Sequence, residues 1–452
     1  MTIAVVGGTL IDGTGHDPVP NSNIVIEDDR IVEVGSAKSV TIPRGAAVLD
    51  ATDSTVIPGI IDCHVHSTYR SRDLRRHLQN PPTYNILAST GILRETLECG
   101  VTTVRDMGGA DAGFRKAVDE GLIVGPRMAI SIVMMSQSGG HGDSWVPAGF
   151  RLPKRAWLPR SIADGVEEVR KLTRELLMAG ADFIKVCATG GITSLTDDYD
   201  ESQMTIEEIG AAVGEAAARN KRVAAHAQGV AGIKNALSAG VYSIEHGWFM
   251  DEECVETMLR KGTWWVPTLA LVPRSRERRR VDTHWSEAQL ADEARKDEEI
   301  YQTQLKQVPL WKDAVKRGIK VAMGTDQSHR LLVGENLREL GFMVDWLGMS
   351  PMDTLVASTS RAAQCLERQE DLGTLEPGRI ADVLVIDGDP LDDITILQER
   401  SRLRLIMKGG GIVTNHLETR GLEPEKGKKV YGDAKRQLQR SHPDTIDQGK
   451  GA

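Results

Sequence analysis

The sequence predicts an α/β fold in which a (β/α)₈ barrel carries a small composite β-sandwich domain formed from both ends of the chain. Between residues 58 and 369, apolar segments alternate with helical patterns, and eight of these segments are consistent with strands. Strand–helix alternation of this kind favours a parallel barrel over an open sheet. Residues 1–57 and 370–414 contain only short strands and turns, and each part is too thin to bury a core alone. We therefore expect these two parts to pair, with residues 415–452 as a charged tail.

Composition and charge exclude several classes of protein. The formal net charge of the 452-residue chain is −9 and no basic domain stands out, which argues against a nucleic-acid partner. No apolar run approaches the ~18 residues of a membrane span, and the first residues lack the features of a signal peptide. The five cysteines are scattered and odd in number, so a disulfide framework is not expected. These observations predict a cytoplasmic protein that does not bind membranes.

The two ends of the chain have the pattern of short β-strands. Ile3–Val6, Asn23–Glu27 and Arg30–Val34 are apolar segments separated by glycine, asparagine and aspartate turn signals. Similar segments return in Gly373–Asp387 and Leu403–Lys408. The middle of the chain is therefore expected to be an insertion between two halves of one β domain.

The predicted barrel begins with Thr55–His66, which carries the first chemical signal. Its apolar residues are mostly β-branched, which indicates a buried strand. His64 and His66 close the segment, and side chains at positions i and i+2 of a strand share a face. Two imidazoles on one face make half a metal site. For a bare His-x-His pair, the alternative is two polar residues where a strand meets its loop.

Seven further strands and several helices are predicted in the middle of the chain. The strands are Val101–Asp106, Met128–Met134, Phe183–Val186, Val223–His226, Ser243–His246, Trp264–Leu269 and Val321–Asp326. The helical patterns include Ile162–Met178, Thr205–Arg219 and Ile233–Ala239. Thr205, followed by acidic residues, is typical of a helix N-cap with an acidic first turn.

Polar residues stand at the ends of the predicted strands, where barrel enzymes carry their catalytic groups. Besides the first pair, these residues are His226, His246 and Asp326. Each alone is weak evidence, since a single strand-end histidine is often structural. Lys185 is more unusual, because an ammonium within the apolar Phe-Ile-Lys-Val segment must be desolvated or chemically changed. Six such groups in order make coincidence improbable.

Five motifs together resemble the metal-dependent amidohydrolase superfamily. They are Gly59-Ile-Ile-Asp-Cys-His-Val-His66, Phe183-Ile-Lys-Val-Cys-Ala-Thr-Gly-Gly191, Ala225-His-Ala227, Glu245-His-Gly247 and Met323-Gly-Thr-Asp326. The pattern is similar to the branch of imidazolonepropionase and the Xaa-Pro or Xaa-Arg dipeptidases, which also holds enzymes that cleave carboxylate-bearing toxins and phenylureas. The resemblance spans about Val5 to Gly411 and implies the barrel and the composite β domain.

The resemblance implies a centre of two divalent metals, usually zinc, bridged by a carboxylated Lys185. One metal would be held by His64, His66, Asp326 and the carbamate, and the other by His226, His246 and the same carbamate. In the family, a hydroxide that bridges the metals attacks an amide carbonyl. Asp326 would accept its proton and pass it to the leaving nitrogen. The resemblance also implies a homo-oligomer, with an octamer as one form that it leaves open.

Candidate substrate contacts come from the loops that follow the strands. By similarity to this branch, His141 in Gln137-Ser-Gly-Gly-His-Gly-Asp143 binds the substrate carbonyl or carboxylate; otherwise it is a structural histidine in a glycine-rich turn. The other polar candidates are Tyr69, Arg70, Gln228, His329 and Arg330, and Trp145 and Trp248 could adjoin an aryl group. Thr196–Glu201, after the Lys185 strand, is either a lid or a polar loop.

Two classes of function are compared. The first is a binuclear-metal hydrolase of amide C–N bonds, acting on a small molecule such as an N-acyl or aminoacyl amino acid, as a dipeptidase or carboxypeptidase does. Xenobiotic aryl amides or phenylureas are the alternative substrates, and a cyclic amide is a weaker choice. The second class is a non-catalytic scaffold that kept the barrel and lost its site. The complete set of six ligand positions favours the enzyme.

Overall fold

The computed structural model describes residues 1–68, 79–146, 148–152, 157–192, 194, 196–273, 286–328, 331 and 333–421. The candidate contacts Tyr69, Arg70, His329 and Arg330 lie outside these residues, as does the tail from residue 422. Within the described ranges, no helix is both long and apolar enough to cross a bilayer.

Strands from both ends of the chain share two five-stranded sheets. One sheet contains, in chain order, β1 (Thr2–Val6), β3 (Ser22–Glu27), β4 (Arg30–Ser36), β5 (Ala47–Asp50) and β21 (Glu418–Arg420). The other contains β2 (Thr9–Leu10), β6 (Ser54–Pro58), β18 (Val383–Asp387), β19 (Leu403–Lys408) and β20 (Gly411–Asn415). Alternating aliphatic side chains from the two sheets form one buried apolar cluster, in which Ile24, Leu49, Val383 and Leu405 are fully buried.

The middle of the chain forms parallel sheets. Three strands, β7 (Ile60–Val65), β8 (Val101–Asp106) and β9 (Arg127–Ile130), pair in order. A six-stranded parallel sheet follows, with β10 (Met134–Met135), β13 (Ile184–Cys187), β14 (Val223–Ala227), β15 (Ser243–His246), β16 (Trp264–Val266) and β17 (Lys320–Val321). Backbone hydrogen bonds join β7 to the segment after β17, from Cys63 N to Met323 O at 2.8 Å and from His66 N to Gln327 O at 2.9 Å. A short antiparallel hairpin consists of β11 (Trp145–Val146) and β12 (Phe150–Arg151).

Helices connect the parallel strands and bury their apolar faces. In chain order they are α1 (Pro82–Glu98), α2 (Ala112–Asp119), α3 (Val166–Met178), α4 (Ile206–Ala217), α5 (Val230–Ala239), α6 (Glu252–Lys261), α7 (Glu287–Lys316), α8 (Arg338–Leu347), α9 (Pro351–Ser358) and α10 (Ser360–Cys365); short 3₁₀ helices cover Ile394–Gln398 and Arg400–Arg402. Thr205 caps α4 as expected: its Oγ1 accepts the N–H of Glu208 at 3.2 Å, and the Glu208 carboxylate accepts the N–H of Thr205 at 2.7 Å. The predicted mixed α/β architecture is therefore confirmed.

Thr55–His66 is two strands rather than the single strand that its apolar residues suggest. Strand β6 pairs antiparallel with β18, whereas β7 pairs parallel with β8. The chain passes from one sheet to the other at Gly59, where a Cβ atom would lie 2.2 Å from the Oγ1 of Thr102. A side chain at this position would therefore prevent the close packing of the two layers.

Three predicted strands are shorter than their apolar patterns. Met128–Met134 is divided between β9 and β10 because Ile132 has a φ of 71°. Strand β16 ends before Pro267, which has no N–H to donate to a neighbouring strand. After β17 the chain stays hydrogen-bonded to β7, but Asp326, with a φ of 53°, departs from extended geometry. Apolar composition alone does not report these local changes of backbone direction.

Candidate metal centre

His64, His66 and Asp326 meet at one end of the parallel strands. The three offer ligand atoms that all lie within 4.8 Å of one another. Asp326 Oδ1 is 3.3 Å from His66 Nε2 and 3.6 Å from His64 Nε2. The i and i+2 positions on β7 bring the two imidazoles to one face, and the hydrogen bonds between β7 and the segment after β17 bring the carboxylate to them. Two imidazoles and a carboxylate are a donor set that suits a divalent metal such as zinc.

Two of the predicted ligands have backbones in the left-handed region. His246 has a φ of 68° and Asp326 a φ of 53°. Non-glycine residues rarely adopt this conformation, which costs on the order of 1–3 kcal/mol and is concentrated at functional sites. At Asp326 the conformation is held by a hydrogen bond of 2.7 Å from its N–H to the carbonyl of His64. His246 ends β15, whereas Asp326 lies in the segment after β17, and at both positions the left-handed backbone breaks the regular alternation of side chains.

Each of the four predicted histidine ligands has one ring nitrogen committed to a protein oxygen. The contacts are His64 Nδ1 to Glu245 Oε2 at 2.9 Å, His66 Nδ1 to the carbonyl of Gly108 at 2.8 Å, His226 Nε2 to the carbonyl of Gly190 at 3.0 Å, and His246 Nδ1 to Thr268 Oγ1 at 2.8 Å. The Thr268 hydroxyl donates its own hydrogen to the carbonyl of Pro267, so it accepts from His246. In every ring the committed nitrogen carries the proton, and the other nitrogen keeps a lone pair. This is how proteins orient metal-ligating histidines.

Burial favours the neutral form of three of these rings. It lowers the pKa of His64, His226 and His246 well below the ordinary value, and neighbouring positive groups contribute further. The rings are also close together, with centroids 5.0 Å apart for His64 and His246 and 4.6 Å apart for His226 and His246. Neutral imidazole is the form that binds a metal. The structure therefore brings the four rings together, and burial keeps three of them, His64, His226 and His246, in the neutral form.

Lys185 lies on β13 beside these rings and is fully buried. Its Nζ has no hydrogen-bond partner among the described residues, and burial lowers its pKa. A buried amine without a hydrogen-bond partner lowers the stability of the folded protein. As a carbamate it would offer anionic oxygens to metals held by these histidines. The buried, unpartnered amine therefore fits the bridging role that the family resemblance implies.

A buried ionic network, which the sequence alone did not reveal, holds the His64 ring through its Nδ1. The fully buried Glu245 carboxylate accepts hydrogen bonds from His64 Nδ1, from Arg105 Nη2 at 2.8 Å and from Ser243 Oγ at 2.6 Å. Arg105 also donates from Nε to the carbonyl of Cys63 at 2.7 Å. The signal that could have found the network is a charged residue inside a predicted barrel strand, which occurs in both β8 and β15. Like Lys185, such a residue needs a partner inside the fold.

A second buried network fixes the backbone beside Asp326. The Asp62 carboxylate accepts the Oγ1–H of Thr325 at 2.6 Å, the side-chain amide of Asn336 at 2.9 Å and the N–H of His64 at 3.0 Å. Burial raises the pKa of Asp62 to about 6, and these donors oppose that shift. The network connects β7 to the segment that carries Asp326, so it sets the spacing of the ligands on both.

His141 lies over the His226 side of the centre. The two rings stack with centroids 4.2 Å apart and planes inclined by 18°. The backbone N–H of His141 donates to Gln203 Oε1 at 2.9 Å, which joins the glycine-rich loop to the segment after β13. His141 therefore directly adjoins one of the expected metal ligands.

The remaining sequence candidates are placed differently. Gln228 is buried, and its Oε1 accepts the N–H of Ile192 at 3.1 Å, so this oxygen is used inside the protein. Trp248 is fully buried, with its Nε1–H donated to the carbonyl of Pro267 at 2.6 Å. Trp145, on the hairpin after the His141 loop, is 44% exposed. Of these three side chains, only Trp145 has a large surface available to a ligand.

Comparisons with known proteins give a consistent picture. The Amidohydrolase family profile matches residues 55–413. The chain is 34% identical over 430 residues to ochratoxinase from Aspergillus niger, which covers 90% of this chain and 85% of that protein. It is 23% identical over 408 residues to imidazolonepropionase from Caldanaerobacter subterraneus, covering 83% of this chain and 86% of that protein. Among solved structures, a prolidase in complex with N-methylphosphonate-L-proline superposes with a TM-score of 0.83 at 32% identity, covering 92% of this chain and all of that one.

Proposed function

This chain belongs to the amidohydrolase family and is a hydrolase of amide C–N bonds, and from that premise we propose that it uses two metals to cleave N-acyl or aminoacyl amino acids. We also propose that its parallel strands close into one (β/α)₈ barrel over residues 58–369, with residues 1–57 and 370–414 as a composite β-sandwich. The observation that carries the proposal is the cluster of four lone-pair-bearing imidazoles around the unpartnered amine of Lys185.

The residues proposed to hold the metals fall into two sets that share the carboxylated Lys185. One set is His64, His66 and Asp326, and the other is His226 and His246. Divalent metals held there supply a lowered pKa for water and polarisation of the scissile carbonyl. Zinc is the proposed ion, because nitrogen ligands with a few carboxylate-type oxygens suit it well.

Asp326 is proposed to move the proton. Its side chain is 17% exposed, so one end of the carboxylate can reach the open side of the centre while Oδ1 faces the two histidines of β7. It would accept a proton from the attacking water and return it to the amide nitrogen, which leaves poorly until it is protonated. No other carboxylate within the described ranges forms a cluster with these histidines at ligand distance.

His141 is proposed to bind the substrate carbonyl or carboxylate. Its ring is stacked on His226, and so it borders the His226 side of the centre. A hydrogen bond from this ring to the carbonyl oxygen would orient the amide for attack, and would strengthen as negative charge develops on that oxygen.

The substrate class is proposed to carry a carboxylate. The prolidase structure holds N-methylphosphonate-L-proline, and the proline part of that compound carries a carboxylate next to the ring nitrogen. Arg70 and Arg330 remain our proposed contacts for such a group, since guanidinium binds carboxylate with two parallel hydrogen bonds. Neutral aryl amides and phenylureas are the second candidate, favoured by the exposed Trp145 beside the His141 loop.

The test compares each acyl-amino acid that the zinc-loaded protein hydrolyses with its C-terminal amide. We expect kcat/KM to fall by ~10-fold or more for the amide, since a lost bidentate contact to a charged group is worth roughly 1.5–3 kcal/mol. Equal values for the two compounds would exclude a carboxylate contact and favour the aryl substrates. Failure of the zinc-loaded protein to hydrolyse acyl-amino acids, dipeptides and aryl ureas would overturn the proposed reaction.

A further inference from the structure

A buried carboxylate lies behind His141. The Asp197 side chain is only 1% exposed, and its Oδ1 is 3.7 Å from His141 Nδ1. Both His141 Nδ1 and Asp197 Oδ2 are buried without a hydrogen-bond partner within the described ranges. A buried donor or acceptor without a partner costs about 1–3 kcal/mol. The imidazole and the carboxylate that carry these two atoms approach each other to 3.7 Å, between Nδ1 and Oδ1.

The surrounding loops are built to hold the pair in this arrangement. Asp197 Oδ1 accepts the N–H of Gly191 at 2.9 Å, and the backbone of His141 is anchored to Gln203. A Cβ atom on Gly191 would lie 2.2 Å from Cε1 of His141, so only glycine permits this approach. The imidazole also stacks on His226. The ring is therefore packed closely against both Gly191 and His226, and Asp197 approaches one of its nitrogens.

A movement of about 1 Å would convert the 3.7 Å approach into a charge-assisted hydrogen bond. Catalytic hydrogen bonds are often long before a substrate is bound and shorten in the complex. Although burial alone raises the pKa of Asp197, the contact with His141 and the Gly191 N–H lower it below its ordinary value. The side chain is thus an ionised carboxylate placed to accept a hydrogen bond from Nδ1.

We propose that Asp197 is a positioning residue for His141: it accepts a hydrogen bond from Nδ1–H of the doubly protonated ring, so that Nε2–H is the donor left for the substrate carbonyl. A carboxylate that orients a catalytic imidazole is the arrangement found in hydrolytic triads. The role rests on the proposed amide hydrolysis, and it assigns a function to the acidic segment after β13, which the sequence left as either a lid or a loop.

The kinetic test uses Asp197→Asn with Asp198→Asn as the matched control. Asp198 is the neighbouring residue and is exposed, and its carboxylate accepts only the local N–H of Tyr199 at 2.7 Å among the bonds described. We expect Asp197→Asn to lower kcat by ~10–100-fold with little change in KM, a loss of the size seen when the partner of a functional histidine is removed. Asp198→Asn should stay within about twofold of the parent enzyme, as is usual for a surface substitution.

A double-mutant cycle separates positioning from general loop stability. In a His141→Ala background, Asp197→Asn should cause no further loss of kcat, because the group that it positions is absent. An equal loss in both backgrounds, or a kcat within about twofold of the parent for Asp197→Asn alone, would overturn the proposal. So would a loss of bound metal in Asp197→Asn, since that would place its effect on the His226 site.

NMR of the His141 ring tests the role of Asp197 without measuring turnover, so its outcome can be distinguished from a failure of the proposed amide hydrolysis. In zinc-loaded protein with ¹⁵N-labelled histidine, the Nδ1 proton of His141 should be hydrogen-bonded and protected from exchange in the parent and in Asp198→Asn. It should lose that protection in Asp197→Asn. Protection that is unchanged in Asp197→Asn would contradict the role of Asp197 even in an active enzyme. An enzyme that cleaves no amide but shows the expected protection would refute the reaction alone.

Discussion

Replacement of Glu245 by glutamine should disturb the metal centre through the tautomer of His64. The carboxylate uses Oε1 for Arg105 and Ser243 and Oε2 for His64 Nδ1. Arg105 can only donate hydrogen bonds, so the single oxygen of a glutamine must face it. The amide NH₂ then faces His64 Nδ1, which has to accept. The His64 proton moves to Nε2, the nitrogen that faces Asp326, and this ring can no longer bind a metal there.

Two magnitudes follow from this geometry. Loss of a hydrogen-bond partner of a ligating histidine typically weakens metal binding by ~10–100-fold. Glu245 is fully buried and Arg105 is 3% exposed, so the pair is desolvated, and its disruption should lower the free energy of unfolding by on the order of 3 kcal/mol. The loss should be smaller than for Glu245→Ala, because glutamine keeps one oxygen that can accept a hydrogen bond from Arg105.

The assay removes metal with a chelator and then titrates the apoprotein with zinc against a competing indicator. Urea unfolding of both apoproteins shows how much of any change in zinc affinity comes from a loss of folding stability. Ser243→Ala is the matched control: it removes one donor to Glu245 but leaves the carboxylate facing His64, so its zinc affinity should stay within about threefold of the parent. Parent-like zinc affinity in Glu245→Gln would refute the tautomer argument.

Two other substitutions test the proton transfer and the buried charge. Asp326→Asn should lower kcat far more than it raises KM, because its proton transfer occurs only in the transition state; a near-normal kcat would remove Asp326 from that role. Burial raises the pKa of Glu339 to about 8 from 4.5, although its carboxylate accepts the N–H groups of Leu269 and Ala270. Between about pH 5 and 8 the folded protein then keeps a proton that the unfolded chain has released. The free energy of unfolding should therefore decrease as the pH rises through this range, by at most ~1.4 kcal/mol per pH unit. Urea unfolding across this pH range should show that the free energy of unfolding depends less steeply on pH in Glu339→Gln than in the parent. An identical pH dependence would contradict the shifted pKa.

The parts of the site that the sequence predicted are those set by local geometry. His64 and His66 share a face because a strand repeats every two residues, and Thr205 caps its helix through contacts within one turn. Lys185 was recognisable as a charge in an apolar strand, which had to have a chemical reason. Each signal lies within a few neighbouring residues of the chain.

The parts that the sequence did not predict depend on contacts between distant segments. Arg105 and Glu245 are 140 residues apart, and no local pattern indicates that they pair. Asp197 lies in a segment whose acidic residues look alike in sequence, and only its buried position beside His141 separates it from Asp198. The left-handed backbone of Ile132 likewise comes from its surroundings and not from the preference of a β-branched residue.

The most direct test of a two-metal centre bridged by Lys185 is the metal content of the purified protein beside that of Lys185→Ala. The parent, prepared with zinc and bicarbonate, should contain about two divalent ions per chain, because two sets of imidazoles share one bridging group. Lys171→Ala, which changes a lysine whose side chain is 72% exposed on α3, serves as the control and should match the parent. Lys185→Ala should lose bound metal and most of its activity, with partial recovery when a small carboxylic acid replaces the bridge. A Lys185→Ala protein with full metal content and full turnover would contradict the bridged centre.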